Sequence, residues 1–157
     1  MASPAVDRFI AAAATQGLEP DVRTFPQDTR TAQQAADALG CELGQIVKSL
    51  IFKADDELVL VLTSGVNRVD EAKAAPLFGV DKLGKANADD AREATGFAIG
   101  GIPPCGHPTP LRAVVDQDLL SWPTVWAAAG APDAVFELTP DTLVRITAAT
   151  SADIAAG

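Results

Sequence analysis

Histidine and cysteine are nearly missing from this chain: one imidazole, His107, and two thiols, Cys41 and Cys105, serve 157 residues. Without a Cys-x-x-Cys or His-Glu-x-x-His spacing they make no recognisable zinc site, so no metal and no cofactor is expected. Basic residues are also scarce, 12 against 21 acidic ones, for a net charge of −9. Broad binding along a nucleic-acid backbone needs Lys and Arg to neutralise phosphates, and this composition argues against it. Contact with a small part of a nucleic acid, or with one presented by a partner protein, stays open. No run approaches the roughly 18 apolar residues of a membrane span. The first 14 residues carry Asp7 and Arg8 among alanines and lack a basic start before an apolar block, so they read as a helix and not a leader. Two distant cysteines then fit reduced thiols in a cytoplasmic protein. There is no internal repeat and no low-complexity linker, and 48% apolar residues suffice for one globular domain over residues 1–157.

What is present has the marks of short elements of both kinds. Val6, Phe9, Ile10 and Ala13 fall at i, i+3, i+4, i+7 and predict a helix over 4–16, with Ser3 and Pro4 at its start and Gly17 at its end. A short strand is expected over 22–25, ended by Pro26. Thr31 caps a helix over 32–39, stopped by Gly40, and one more helical turn follows over 42–47. Residues 47–53 and 57–63, parted by Asp55-Asp56, predict a β-hairpin whose second strand is apolar on both faces and therefore central. Helices are expected over 69–77 and 89–95, with a loop or edge strand over 77–80. Strands are expected over 97–99, 111–116, 124–128 and 134–138, a single turn over 117–120, and a last helix over 141–147 behind Thr139-Pro140. Strand pairs mixed with helices, without regular βαβ alternation, indicate an α+β fold: a mixed, largely antiparallel curved sheet flanked by helices.

One stretch concentrates unusual residues. Gly100-Gly101-Ile102-Pro103-Pro104-Cys105-Gly106-His107-Pro108 holds three glycines, three prolines, a cysteine and the single histidine. Glycines let backbone N–H groups approach a ligand, and prolines stiffen the loop, as an oxyanion or carboxylate pocket requires. The same composition also suits a tight connection between strands. Lys48 lies in Ile46-Val47-Lys48-Ser49-Leu50-Ile51-Phe52, the most apolar setting of any basic residue here. It reads either as an edge lysine snorkelling to water or as a fixed cation for a substrate's phosphate or carbonyl oxygen. His107 is a hydrogen-bonding residue or a catalyst, and Cys105 a small packing residue or a nucleophile without a visible base. Asp116 and Asp118 are turn or cap residues, with general-base chemistry as the alternative. Residues 67–71 read as a capped helix start.

Together these segments resemble the YbaK/ProX-type aminoacyl-tRNA editing domains, also called prolyl-tRNA synthetase-associated domains. The resemblance is carried by Thr31-Ala32-Gln33-Gln34-Ala35-Ala36 and by Gln45-Ile46-Val47-Lys48-Ser49-Leu50. It is also carried by the loop from Gly100 to His107, the strand ending in Asp116, and Gly130-Ala131-Pro132. It spans roughly residues 5–154. The family implies metal-independent hydrolysis of the ester joining a wrong amino acid to a tRNA 3′ end, here tRNA-Pro or a related tRNA carrying a small amino acid. Carried over to this chain, Lys48 would orient the ester or hold the terminal phosphate, and amides around Gly101 and Gly106 would cradle the carbonyl oxygen. Lys48 and those amides would face one small cavity, with His107 beside the chemistry. Thr31, Ser64, Gly65, Gly100, Pro103, Asp116 and Gly130 would surround the substrate. Water or the neighbouring ribose 2′-hydroxyl would attack, which demands positioning more than a strong protein base. The partners implied are the tRNA acceptor end and an aminoacyl-tRNA synthetase on which a free-standing enzyme docks. A non-catalytic ligand- or protein-binding module on the same fold is the other reading.

Overall fold

The hairpin foreseen from Asp55-Asp56 is the centre of the molecule. In the computed structural model, which describes residues 3–25 and 31–156, β2 (Val47–Ala54) and β3 (Glu57–Ser64) pair antiparallel from Val47↔Ser64 to Ala54↔Glu57. Asp55 makes the turn at φ 56°, a left-handed conformation that a short polar side chain tolerates. β3 is buried over six of its eight residues and sits in the middle of a five-stranded sheet. Its other neighbour is β5 (Ala113–Asp116), parallel to it, and β8 (Thr150–Ala152) lies parallel beyond. At the far edge, β4 (Gly84–Lys85) pairs with only Phe52 and Lys53 of β2.

A second, three-stranded antiparallel sheet runs β1–β7–β6, from β1 (Val22–Thr24), β7 (Ala134–Leu138) and β6 (Val125–Ala128). A parallel bridge between Ile46 and Trp126 joins it to the first. The fold is α+β as expected, with its strands divided between these two sheets. Pro26, expected to end β1, lies outside the described residues.

Helix α1 (Pro4–Ala14) buries Val6, Phe9 and Ala13, and the Phe9 ring meets Phe136 of β7 at 5.0 Å. α2 (Ala32–Leu39) carries a reciprocal cap between Thr31 and Gln34 and ends at Gly40, φ 70°, as its sequence demands. α3 (Glu71–Ala74), α4 (Ala88–Thr95) and α5 (Pro140–Thr147) complete the helices of the described residues. Short 3-10 turns occur at Leu43–Gln45, Ala75–Phe78 and Gln117–Ser121.

Some expectations fail locally. The helix foreseen over 69–77 is a single α turn that tightens into 3-10 geometry at Pro76, which has no N–H to continue the α ladder. Residues 97–99 form no strand. Gly96 ends α4 in a left-handed conformation, the Phe97 amide donates back to Thr95 Oγ1, and Phe97 is buried in the core. Three residues between two glycines turn here and do not pair. β4 and β8 carried no usable local signal, since each forms only against a partner supplied from elsewhere in the chain.

Candidate functional site

The open edge of β2 sets the site. The Gly65 amide donates to the Ile46 carbonyl at 2.8 Å, which fixes the phase of the ladder. Bonded pairs alternate in an antiparallel sheet, so Lys48 and Leu50 bond to β3 while Ser49 turns its amide and carbonyl to the opposite edge. No strand pairs with that edge at Ser49, because β4 begins only opposite Phe52. A cavity of about 290 Å³ fills the gap, walled by four consecutive residues of β2, Val47 to Leu50, and opposite them by Gly100, Ile102, Trp126 and Ala128. Four consecutive residues can line one cavity only where it meets a strand edge, since along a face every second side chain would be lost.

The two faces of β2 bring different chemistry to that edge. Val47 and Ile51 pack with Leu60, Leu62 and Ile102, which places Ser49 on the same face as the Gly100–Pro104 loop. Leu50 and Phe52 pack with Val59 and Val61 on the other face, and Lys48 belongs to it. Lys48 Nζ donates to the Asn67 carbonyl at 2.8 Å and makes no ion pair among the described residues. Burial lowers the pKa of its amine, Arg68 lowers it further, and Asp116 opposes them. A partly desolvated ammonium with one protein acceptor retains donors for an incoming oxygen.

Behind Lys48 stands a buried carboxylate. Asp116 is fully inaccessible to solvent. Its Oδ2 accepts from Thr63 Oγ1 at 3.1 Å, the Ser64 amide at 3.1 Å and Asn67 Nδ2 at 2.8 Å, and its Oδ1 accepts from the Asp118 amide at 3.0 Å. Asn67 Nδ2 also reaches Asp118 Oδ2 at 2.7 Å. Ser64 Oγ donates to the Gly44 carbonyl at 2.8 Å. Gly65 has no room for a side chain, since a Cβ there would lie 2.5 Å from the Leu43 carbonyl oxygen. Ser64, Gly65 and Asp116 therefore build the turn that presents Asn67 to Lys48, and none of them lines the cavity. Residues 67–71 divide: Asp70 caps α3 as expected, whereas Asn67 serves this network.

The glycine–proline loop is shared between two places. Gly100, at φ 92°, lines the cavity. The Gly101 amide is already committed to the Ala98 carbonyl at 3.0 Å, and its own carbonyl accepts from Gly130. A Cβ on Gly101 would sit 2.7 Å from Ala131 backbone atoms, and one on Gly130, at φ 112°, 2.8 Å from the Ala5 carbonyl oxygen. Gly101 and Gly130 are thus a packed clamp behind Gly100. Thr31 borders the cavity, with its side-chain oxygen accepting from the Gln34 amide.

Gly106 and His107 go elsewhere. With Cys105 they line a second cavity of about 270 Å³, against Ala12, Gln16 and Ile146. His107 Nε2–H donates to the Pro103 carbonyl at 2.8 Å. The expectation that Lys48, Gly101 and Gly106 face one cavity is corrected accordingly: only Lys48 and the loop's first glycine, Gly100, share it. The chain bends at Pro104 and Cys105, and Gly106, at φ 86°, turns it again, so Gly106 and His107 go to a different cavity. Cys105 is buried and its thiol pKa is pushed up to about 11, as suits a packing residue. No cluster of three metal-ligating side chains occurs among the described residues, and no helix there is long and apolar enough to cross a membrane. The residue that sequence reasoning overlooked is Ser49. A lone hydroxyl in an apolar strand beside Lys48 was the available signal.

Two measurements follow from this geometry. Replacing Asp116 by Asn turns one acceptor into a donor facing buried donors, so Asp116→Asn should lower unfolding free energy in urea by more than about 2 kcal/mol. Burial lowers the His107 pKa, with the hydrogen bond to Pro103 opposing. The unfolded chain then binds that proton first as pH drops below about 6.5, so stability falls until the folded imidazole also titrates. Urea unfolding from about pH 7.5 to about pH 5 should show this loss, and His107→Gln should lessen it.

Residues 26–146 match the sequence pattern of the aminoacyl-tRNA editing domain family. The uncharacterised protein YwhH of Bacillus subtilis is 33% identical over 126 residues, 80% of each chain. The proline–tRNA ligase of Lactobacillus acidophilus is 31% identical over 107 residues, which are 68% of this chain and only 19% of the ligase. A solved structure of a candidate trans-editing enzyme for prolyl-tRNA synthetase superposes with a TM-score of 0.96 at 48% identity, covering 100% of both chains.

Proposed function

The chain belongs to the aminoacyl-tRNA editing domain family, and we propose that it is a trans-acting hydrolase that frees a small amino acid wrongly esterified to a tRNA, tRNA-Pro or a related one. The observation that carries this reading is the cavity at the open edge of β2, where Lys48 and Gly100 border the same space. A nucleotide end carrying an ester needs a cation for phosphate or carbonyl oxygen and a bare amide where oxyanion charge develops. Lys48 supplies the first. The amide of Gly100, on a loop held from behind by Gly130 and Ala131, supplies the second.

Among the described residues the cavity wall carries no carboxylate, imidazole or thiol. The attacking group is therefore assigned to water, held in reach of the carbonyl carbon by binding at Lys48 and Gly100 and guided by the ribose 2′-hydroxyl beside the ester. Water forms the new C–O bond, a proton passes through solvent to the ribose oxygen as its bond to the tetrahedral carbon breaks, and free amino acid and tRNA result. An acidic chain grips only the acceptor end, and docking on a synthetase of the proline type would supply the remaining basic surface. The match to a segment of proline–tRNA ligases supports that partner.

A panel of mischarged tRNAs incubated with the purified protein tests the reading and identifies the amino acid. Lys48→Ala should slow release by at least about 100-fold while unfolding at an unchanged temperature. Full activity in that variant removes Lys48 from the mechanism. Release of no amino acid by the unaltered protein favours a binding module.

A further inference from the structure

Ser49 has a feature that hydrolysis as just described does not use. Its Oγ is a buried side-chain polar atom without a hydrogen-bond partner among the described residues. Leaving a buried hydroxyl unpaired is unfavourable, and an alanine or valine at this strand position would avoid it. Ser49 lies between the candidate cavity and a third one of about 230 Å³ that runs along β2 to Lys85. Its main-chain carbonyl faces the same unpaired edge. Oγ is closed off from solvent as the chain stands, so the side chain turns about its Cα–Cβ bond to meet a guest at that edge, with no shift of the strand.

We infer that Ser49 reads the α-ammonium group of the esterified amino acid, accepting its N–H bonds at Oγ and at the main-chain carbonyl. The polarity of the cavity is divided to suit this. Donors, from Lys48 and the Gly100 amide, lie where carbonyl or phosphate oxygens would go. An ammonium group needs acceptors, and no carboxylate of the described residues lines the cavity. The other side-chain hydroxyl on the wall, Thr31, has its oxygen engaged in capping α2. Among the described residues Ser49 is the polar side chain left for the task. The contact rests on the reading of this cavity as the ester's seat, and it explains how an apolar pocket accepts an aminoacyl group over a plain acyl group of equal size.

The test uses two stable amides, 3′-(alanylamino)-3′-deoxyadenosine and its propionyl counterpart, which lacks only the amino group. Calorimetric titration at about pH 6.5 keeps that amino group protonated. The unaltered protein should bind the alanyl probe at least about tenfold more tightly than the propionyl one. Ser49→Ala should lose most of that preference, leave propionyl affinity unchanged, and unfold at the same or a higher temperature. A purely structural hydroxyl would weaken both probes alike and lower the unfolding temperature. Equal affinity for the two probes, no binding of either, or a preference intact in Ser49→Ala overturns the inference. Turnover plays no part in the titration. A protein that prefers the alanyl probe yet deacylates no tRNA would retire the hydrolase reading and leave the Ser49 contact standing.

Discussion

A carboxylate cut off from water must collect its hydrogen bonds from the chain, and Asp116 does so from four donors on three segments. That demand ties the end of β3 to the end of β5 and closes the turn from Ser64 to Asn67. The turn fixes where the Asn67 carbonyl points, and that carbonyl holds Lys48. The only charged residue of the described cavity wall is thus placed by a group with which it shares no hydrogen bond. A parallel strand pair brings the two halves together: β3 and β5 run side by side from Leu60↔Ala113 to Leu62↔Val115. Both strands deliver their C-terminal ends, Thr63-Ser64 and Asp116, to one corner.

The opposite wall is held by exclusion of side chains. Gly101 lies against Ala131, and Gly130 against Ala5, so near that neither could carry a Cβ without moving backbone. The hydrogen bond from the Gly130 amide to the Gly101 carbonyl closes the contact. Gly100 is left at the lip on a support with little freedom, which is the condition for an amide to act on developing charge without reorganising. One wall is organised by a buried charge, the other by the absence of side chains.

Much of this was legible from sequence because it is local. The hairpin around Asp55-Asp56, the Thr31 cap, the Gly40 stop and the apolar β3 are set by neighbours within a few residues, and they appear within about two residues of where they were expected. Lys48 could be singled out because a cation in an apolar strand carries a cost visible in the string itself. What could not be read was which parts of the loop from Gly100 to His107 face the same space. The chain bends at Pro104 and Cys105 and again at the left-handed Gly106, so residues adjacent in sequence came to face different cavities. The partners of β5 and β8 were illegible for the converse reason, since they come from far along the chain. Asp116 was identified as a residue of interest, but its part in holding Asn67 depends on a contact 49 positions away.

The bare edge of β2 has a consequence beyond recognition. An unpaired strand ordinarily invites a strand from another molecule, the first step towards fibrous aggregates. Here it lies at the bottom of a cleft, with Trp126 and Ala128 on one side and the loop from Ile99 to Ile102 on the other. A flat sheet is too broad to enter, while a single-file polymer end is narrow enough. The cleft is in effect a sieve for cross-section, admitting a slender guest to main-chain groups that a neighbouring copy of the protein cannot reach.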